Sequence, residues 1–211
     1  MKWVVGILIA LVVALGVWLS LTVGRIEPEV RDTAGGTPTT TPLVVYTDTA
    51  GKYRISYPNG YVAEQYVYQA LGPERTINGT RFIVPPSITS GTNLSQDSYI
   101  SVEPLAGAIN SCSAQIYLGA NATHEGFVDV GAHRYSVASS MEAAAGNRYE
   151  ERVYATPVDG TLDMGTGGCI AVRYFIHYGA IENYPKGAVN NFDRQALLRQ
   201  FDIIRESLEI L

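Results

Sequence analysis

The stretch Phe127–Ala138, which reads FVDVGAHRYSVA, decides the fold class of this chain. Polar and apolar side chains alternate on both sides of its central Gly-Ala dipeptide, a pattern typical of a β-hairpin with a two-residue turn. In that register Val128 lies opposite Tyr135, and Asp129 lies opposite Arg134. One face of the hairpin is then apolar and the other carries opposite charges, so the stretch predicts an antiparallel sheet with one buried face.

Further short β-type runs, separated by turn residues, occupy much of the chain on both sides of this hairpin. In the last of them Ile170, Val172, Tyr174, Ile176 and Tyr178 alternate with Ala171, Arg173, Phe175 and His177. That period predicts a half-buried strand whose core face is the Ile/Val/Tyr side. The runs that we predict as strands are Val44–Thr47, Tyr53–Tyr57, Arg81–Val84, Tyr99–Glu103, Ala114–Leu118, Arg148–Thr156 and Cys169–Tyr178.

The chain ends in an amphipathic helix, predicted from Asn191 or Phe192 to about Ser207. Asn190 and Asn191 are the expected caps, and Asp193 falls in the first turn, where the helix dipole favours negative charge. An apolar stripe at helical spacing should pack on the sheet; it consists of Phe192, Leu197, Phe201, Ile204 and Leu208. The fold class is therefore α+β, an antiparallel β-sheet packed by a C-terminal amphipathic helix, with other short helices as a further option, preceded by one N-terminal transmembrane helix.

Residues 1–24 form the predicted transmembrane anchor, because no charged side chain occurs from Trp3 to Gly24. A helix of that length spans roughly 33 Å, enough to cross a hydrocarbon core of about 30 Å. Cleavage as a signal peptide is the alternative, although the apolar core is longer than such peptides carry. Residues 25–43, rich in Thr, Pro and Gly, read as a linker, and residues 44–211 as one folded domain.

The charges that flank the anchor do not fix its orientation, since Lys2 lies on one side and Arg25 and Arg31 lie on the other. The short N-terminal flank, the linker and the cysteine pair favour export of the domain. We therefore expect a single-pass protein of the cell membrane with an extracytoplasmic C-terminal domain.

The two cysteines of the chain, Cys112 and Cys169, fall in the same predicted domain. A pair of this kind in an exported domain suggests one disulfide. Two buried thiols in a cytoplasmic domain, or a catalytic thiol, are the alternatives, and the absence of a C-x-x-C motif or an adjacent histidine argues against catalysis.

Charge narrows the class of partner, because the formal net charge is −5 and the basic residues are scattered. Nucleic acid is therefore not an expected partner. We expect contact with the membrane through the N-terminal helix and with a protein or glycan of the envelope. The 14 tyrosines, among them Tyr61, Tyr66 and Tyr68, are candidates for a binding face, although strand and core packing also explains them.

Recognisable catalytic, cofactor and metal motifs are not found. His124, His133 and His177 lack metal-ligand spacing and an evident partner, and no nucleophile elbow occurs. The Gly-rich residues 159–168 lead into a strand, so they indicate a hairpin connection more than a phosphate or calcium loop. We assign no catalytic, cofactor-binding or metal-binding residue.

One cluster of charged residues is compatible with an enzyme, which is the alternative function. His177, Arg173, Glu150 and Arg152 can gather on one face of adjacent strands, but cross-strand ion pairs are the favoured explanation of these residues.

The stretch Tyr53–Gly60, YRISYPNG, resembles the aromatic strand and Tyr-Pro turn at the start of PsbP-like α/β/α domains. Together with the final amphipathic helix, it makes the chain similar to uncharacterised membrane-anchored bacterial proteins of that shape. The resemblance covers both ends of residues 46–211, and the middle departs from it. It implies an antiparallel sheet flanked by helices and a family whose members mostly bind or stabilise partners; it transfers no functional residues.

From these observations we expect a non-catalytic binding or accessory module of the cell envelope. The alternative is a surface enzyme of the hydrolase kind, which a deep cleft with close polar side chains would favour. A sensor domain is disfavoured, because no signalling domain follows in the sequence.

Overall fold

The computed structural model describes residues 42–68, 76–105, 112–118, 121–158 and 168–211. Its strands are β1 Leu43–Thr47, β2 Tyr53–Pro58, β3 Val62–Tyr68, β4 Ile77–Ile83, β5 Tyr99–Leu105, β6 Thr123–Val130, β7 His133–Ala144, β8 Asn147–Pro157, β9 Cys169–Gly179 and β10 Glu209–Ile210. The α-helices are α1 Pro86–Thr89 and α2 Arg194–Glu206, and 3-10 helices occur at Ala114–Tyr117 and Ile181–Asn183. Antiparallel strands with a C-terminal helix agree with the expected α+β class.

The predicted anchor at residues 1–24 and most of the predicted linker lie outside the described residues. Within the described part of the chain, no helix has the length and apolar character needed to cross a membrane.

The strands form two sheets. The larger has the order β3-β4-β5-β9-β8-β7-β6, the smaller has the order β1-β2-β10, and every pairing between these strands is antiparallel. The predicted hairpin register is confirmed: Val128 lies opposite Tyr135, and Asp129 lies opposite Arg134 at 3.9 Å. Both hairpin strands extend beyond the predicted bounds, and β3 was not predicted.

One face of the larger sheet, called here the helix face, packs against α2 and the smaller sheet. Tyr53 and Ile55 of β2 meet Phe82, Val172 and other buried apolar side chains of the large sheet in this core. These two layers bury most of the large apolar side chains of the domain, which makes this interface the dominant source of stability.

Helix α2 begins later than the sequence predicted. Asp193 is its cap, since its Oδ1 accepts a hydrogen bond of 2.8 Å from the backbone N–H of Ala196. The prediction of Asn190 and Asn191 as caps was wrong, because the helix begins at Arg194 and the capping side chain belongs to the residue directly before it. The predicted apolar stripe is confirmed: Leu197, Phe201, Ile204 and Leu208 are buried and Phe192 is partly buried against the core.

The opposite face of the larger sheet is covered in part by residues 112–118, called here the strap. The strap was predicted as a strand over Ala114–Leu118, and this was wrong: it forms a 3-10 helix that crosses the sheet face. The N-terminal end is capped by Ser113, whose Oγ accepts from the N–H of Gln115 at 3.3 Å. Ala114 and Tyr117 are buried against the sheet, so the apolar residues that suggested a strand serve as packing contacts.

The strap also changes the environment of β9. The predicted half-buried strand is buried on both faces for most of its length, since Ala171 and Arg173 on the strap face have no exposed surface. The alternation of residue types was correct, but the cover on the second face comes from a distant part of the chain. The disulfide between Cys112 and Cys169 is confirmed and joins the strap to the first residue of β9, 57 residues later in the sequence.

Candidate binding cleft

A cleft of about 430 Å³ opens on the helix face, beside α2 and above the parts of β6–β9 that the helix leaves uncovered. Its floor and walls combine charged side chains with apolar ones. The charged residues are Glu125, Glu150, Glu151, Arg152 and Arg194, and the apolar part consists of Met141, Tyr174, Ile176 and Leu198. The carboxylate of Glu151 pairs with Arg173 on the strap face of the sheet. The cleft contains the close polar side chains that either a binding site or an active site requires.

Glu150 is the centre of the cleft. It lies on β8 between Met141 of β7 and Ile176 of β9, and it is largely buried. Its Oε2 accepts hydrogen bonds from Nε and Nη2 of Arg194 at 2.9 and 2.6 Å, and its Oε1 accepts one from the Tyr178 hydroxyl at 3.0 Å. Both carboxylate oxygens are therefore satisfied, and the ion pair ties β8 to the first turn of α2.

The Tyr178 hydroxyl keeps its proton at physiological pH. Burial raises the pKa of Tyr178, and the hydrogen bond to the negatively charged Glu150 raises it further. The hydroxyl is consequently a fixed donor to Glu150, which holds the carboxylate in one orientation.

A second ion pair forms the wall on the other side of the cleft. Nη2 of Arg152 lies 2.5 Å from Oε2 of Glu125, which comes from the edge strand β6. The β6–β7 register shifts between His124 and Gly126, and Gly126 has the positive φ of 101° that such a bulge favours. The bulge therefore positions Glu125 where the edge strand reaches Arg152.

The two arginines retain binding capacity. Arg194 and Arg152 have side chains that are 51% and 46% exposed, and each guanidinium has more N–H donors than its carboxylate partner uses. The residues that line the cleft carry two positive and three negative side chains, and two of each sign are joined in the Glu150–Arg194 and Glu125–Arg152 ion pairs. Such a site suits a neutral or weakly charged ligand with many oxygen atoms better than a polyanion.

The predicted cluster of His177, Arg173, Glu150 and Arg152 does not exist, so that prediction was wrong. Glu150 pairs with Ile176 and Val153 pairs with Arg173, which puts Glu150 and Arg152 on the helix face and Arg173 and His177 on the strap face. The error is one of register, because a shift of one residue exchanges the faces of a strand.

His177 has partners that the sequence did not reveal. Its Nδ1 lies 2.8 Å from Oδ1 of Asp97, its Nε2 lies 3.1 Å from Oδ1 of Asn147, and its ring stacks on Tyr149 at 4.4 Å. His124 packs against Phe127, and among the described residues no three acidic, histidine or cysteine side chains form a metal site.

The Asp97–His177 pair gives a prediction about pH. Burial raises the pKa of Asp97, but hydrogen bonds from Ser95 and His177 and the nearby imidazole outweigh it, so the net pKa lies below the ordinary 3.8. A lowered folded-state pKa stabilises the fold above about pH 4, and this contribution is lost as the pH falls through the folded pKa.

We expect Asp97→Asn to lower stability at pH 7 by less than about 1 kcal/mol, because the carboxylate is half exposed. The difference from the unchanged chain should shrink as the pH falls below about 4 and through the folded pKa, as measured by urea denaturation at pH 7 and at a series of acidic pH values. A deficit that stays constant with pH would show that charge is not its cause.

The candidate tyrosine face is divided between two places. Tyr61 is buried in the core and donates its hydroxyl to Gln200 at 2.9 Å, whereas Tyr66 lies on the strap face under the Arg81 guanidinium at 4.5 Å. The side chain of Tyr68 and residues 159–167 of the Gly-rich loop lie outside the described residues. Tyr61 and Tyr66 thus form no common binding face.

Comparison with known proteins gives matches among solved structures only. No protein-family model matches the chain, and no curated protein matches it in sequence. A crystal structure of a Bacteroides thetaiotaomicron protein matches with 13% identity and a TM-score of 0.44, covering 79% of this chain and 48% of that protein. The chain therefore spans about half the length of that protein.

The solution structure of cyanobacterial PsbP (CyanoP) from Synechocystis matches with 12% identity and a TM-score of 0.32, covering 84% of this chain and 98% of that one. A PsbP protein is thus among the structural matches, in agreement with the loose resemblance noted in the sequence. Because both TM-scores lie below 0.5, we draw nothing about ligand or activity from either match.

Proposed function

We propose that this chain is a membrane-anchored, extracytoplasmic binding module without catalytic activity, and that its cleft binds a hydroxyl-rich glycan of the cell envelope. The observation that supports the proposal is the cleft itself, where the Glu150–Arg194 and Arg152–Glu125 pairs stand over an apolar floor. The anchor predicted from the sequence and the disulfide between Cys112 and Cys169 support the location.

A glycan fits these groups for two reasons. Sugar hydroxyls both donate and accept hydrogen bonds, so they can bridge the guanidinium N–H groups and the carboxylate oxygens without displacing either ion pair. The apolar C–H surface of a sugar ring can also lie against Met141 or Leu198, which line the cleft. A nucleic acid or another polyanion would bring charge that the two carboxylates repel.

A hydrolase is the second candidate, favoured by the two carboxylates that share one cleft. Glycoside hydrolysis uses a pair of carboxyl groups, one of which must donate a proton. Both Glu125 and Glu150 are held in ion pairs with arginines, which occupy the carboxylate oxygens that a glycosidase would need to face the glycosidic bond. We therefore favour binding without turnover.

The proposal predicts that Arg194→Ala weakens glycan binding at least tenfold, because the variant removes donors from the cleft wall and leaves Oε2 of Glu150 without its donors. The measurement is isothermal titration calorimetry of the full chain in a mild detergent. The ligands are a panel of neutral, acetamido and uronic-acid oligosaccharides.

Arg199→Ala is the matched control, since Arg199 lies on the same helix, is exposed and does not line the cleft. It should bind like the unchanged chain. Equal losses in the two variants would argue against the cleft, and hydrolysis of any panel member that stops in Glu150→Gln would replace the binding module with the hydrolase.

A further inference from the structure

Strand β1 has an open edge within the part of the chain that the structure describes. Its neighbour is β2, and in the register of this pair Val44 lies opposite Tyr57 and Tyr46 lies opposite Ile55. A backbone hydrogen bond flanks the pair at each end: Asn59 N–H donates to Pro42 C=O, and Asp48 N–H donates to Tyr53 C=O. In an antiparallel pair the residues alternate between facing the partner and facing away from it. The even-numbered residues of β1 therefore use their backbone groups on β2.

The backbone N–H and C=O groups of Leu43, Val45 and Thr47 consequently point away from β2. Within the described residues no other strand pairs with β1, which ends the smaller sheet. The side chains of Leu43 and Val45 are also exposed, at 52% and 60%. Backbone donors and acceptors therefore occur beside apolar side chains along the whole edge.

This edge also lacks the features by which proteins usually protect a free strand. Residues 43–47, LVVYT, contain no charge, no proline and no bulge. The two edge strands of the larger sheet differ: β6 has a bulge next to Glu125, and β3 carries Glu64, which is paired with Arg81. Protection is missing at β1 alone among these three edges.

The sequence of the strand fits a second copy of itself. If two β1 strands pair antiparallel with Val45 opposite Val45, Leu43 of each copy lies opposite Thr47 of the other. All three outward-facing residues then meet outward-facing residues. Each such pair exchanges two backbone hydrogen bonds, so the three pairs would form six and satisfy every open group on both strands.

We propose that β1 is a dimerisation strand, through which two copies of this chain join their smaller sheets into one continuous antiparallel sheet about a two-fold axis at Val45. The contact is short and belongs to the class of weak, reversible interfaces. It is isologous, because the same surface is used by both copies. The inference is independent of the cleft, which lies on β6–β9.

The test places charges at the two-fold axis. Val45→Lys puts two ammonium groups opposite each other, and Val45→Glu puts two carboxylates there, so each variant alone should dimerise at least tenfold more weakly than the unchanged chain. An equimolar mixture of the two variants should restore the dimer, because unlike charges then meet. Mass is measured by sedimentation equilibrium of the full chain in mild detergent over a range of concentrations.

Val67→Lys is the matched control, because Val67 lies on another edge strand, β3, and is also 60% exposed. It should dimerise like the unchanged chain. The proposal is overturned if the unchanged chain remains a monomer, as it would if β1 received a strand from a different protein. It is equally overturned if the dimer survives in Val45→Lys, or if Val67→Lys weakens it as much.

Discussion

Arg173→Met is expected to lower the free energy of unfolding by about 3–5 kcal/mol, the cost of leaving a buried charge without its partner. Arg173 is completely buried, and its Nε and Nη2 donate to the two carboxylate oxygens of Glu103 at 2.8 and 3.0 Å. Nη2 also donates to the Tyr117 carbonyl of the strap at 2.8 Å, and Nη1 pairs with Glu151. Urea denaturation at pH 7 measures the loss.

The double variant Arg173→Met/Glu103→Leu separates charge from packing. Because it removes the buried carboxylate together with the guanidinium, it should recover most of the lost stability. If the double variant is as unstable as Arg173→Met, the loss comes from the strap contact at Tyr117 and not from the stranded carboxylate of Glu103.

Removal of the disulfide should cost about 4 kcal/mol, since a link across 57 residues restricts the unfolded chain by roughly that amount. We expect Cys112→Ala/Cys169→Ala to unfold at a correspondingly lower urea concentration. Alanine keeps both positions apolar, as their burial requires.

Reduction of the unchanged chain provides the control, because dithiothreitol should bring it to the stability of the double variant and leave the double variant unaffected. Alkylation in native membranes without reductant adds a test of location. If Cys112 and Cys169 do not react because they are joined in the disulfide, the result agrees with an extracytoplasmic domain. If both thiols react, the domain lies in a reducing compartment.

Local patterns were sufficient for much of the fold. The alternation around Gly131 determined the hairpin, and the apolar stripe from Leu197 to Leu208 determined the face of α2, because both signals depend on neighbours within a few residues. β3 was missed because Glu64 and Gln65 interrupt its apolar character. As the edge strand of the larger sheet, it tolerates those polar residues.

The cleft could not be predicted from local sequence patterns. Glu150 and Arg194 are separated by 44 residues, and Arg152 and Glu125 by 27, so neither pair leaves a spacing motif in the sequence. The four side chains meet only because the strand order and the start of α2 place them on one face. The neighbours of Arg173 were predicted wrongly for the same reason, because they come from parts of the chain that are distant in sequence.

The smaller sheet sets an order of events during synthesis. Arg54 of β2 pairs with Glu209 of β10, 155 residues later, and the backbone of Ser56 is bonded to the hydroxyl of Ser207. At about 5–20 residues per second, a ribosome needs roughly 8–30 seconds to make the intervening chain. For that time β2 has no partner on this side, so the smaller sheet cannot be completed until the strand that follows α2 has been made.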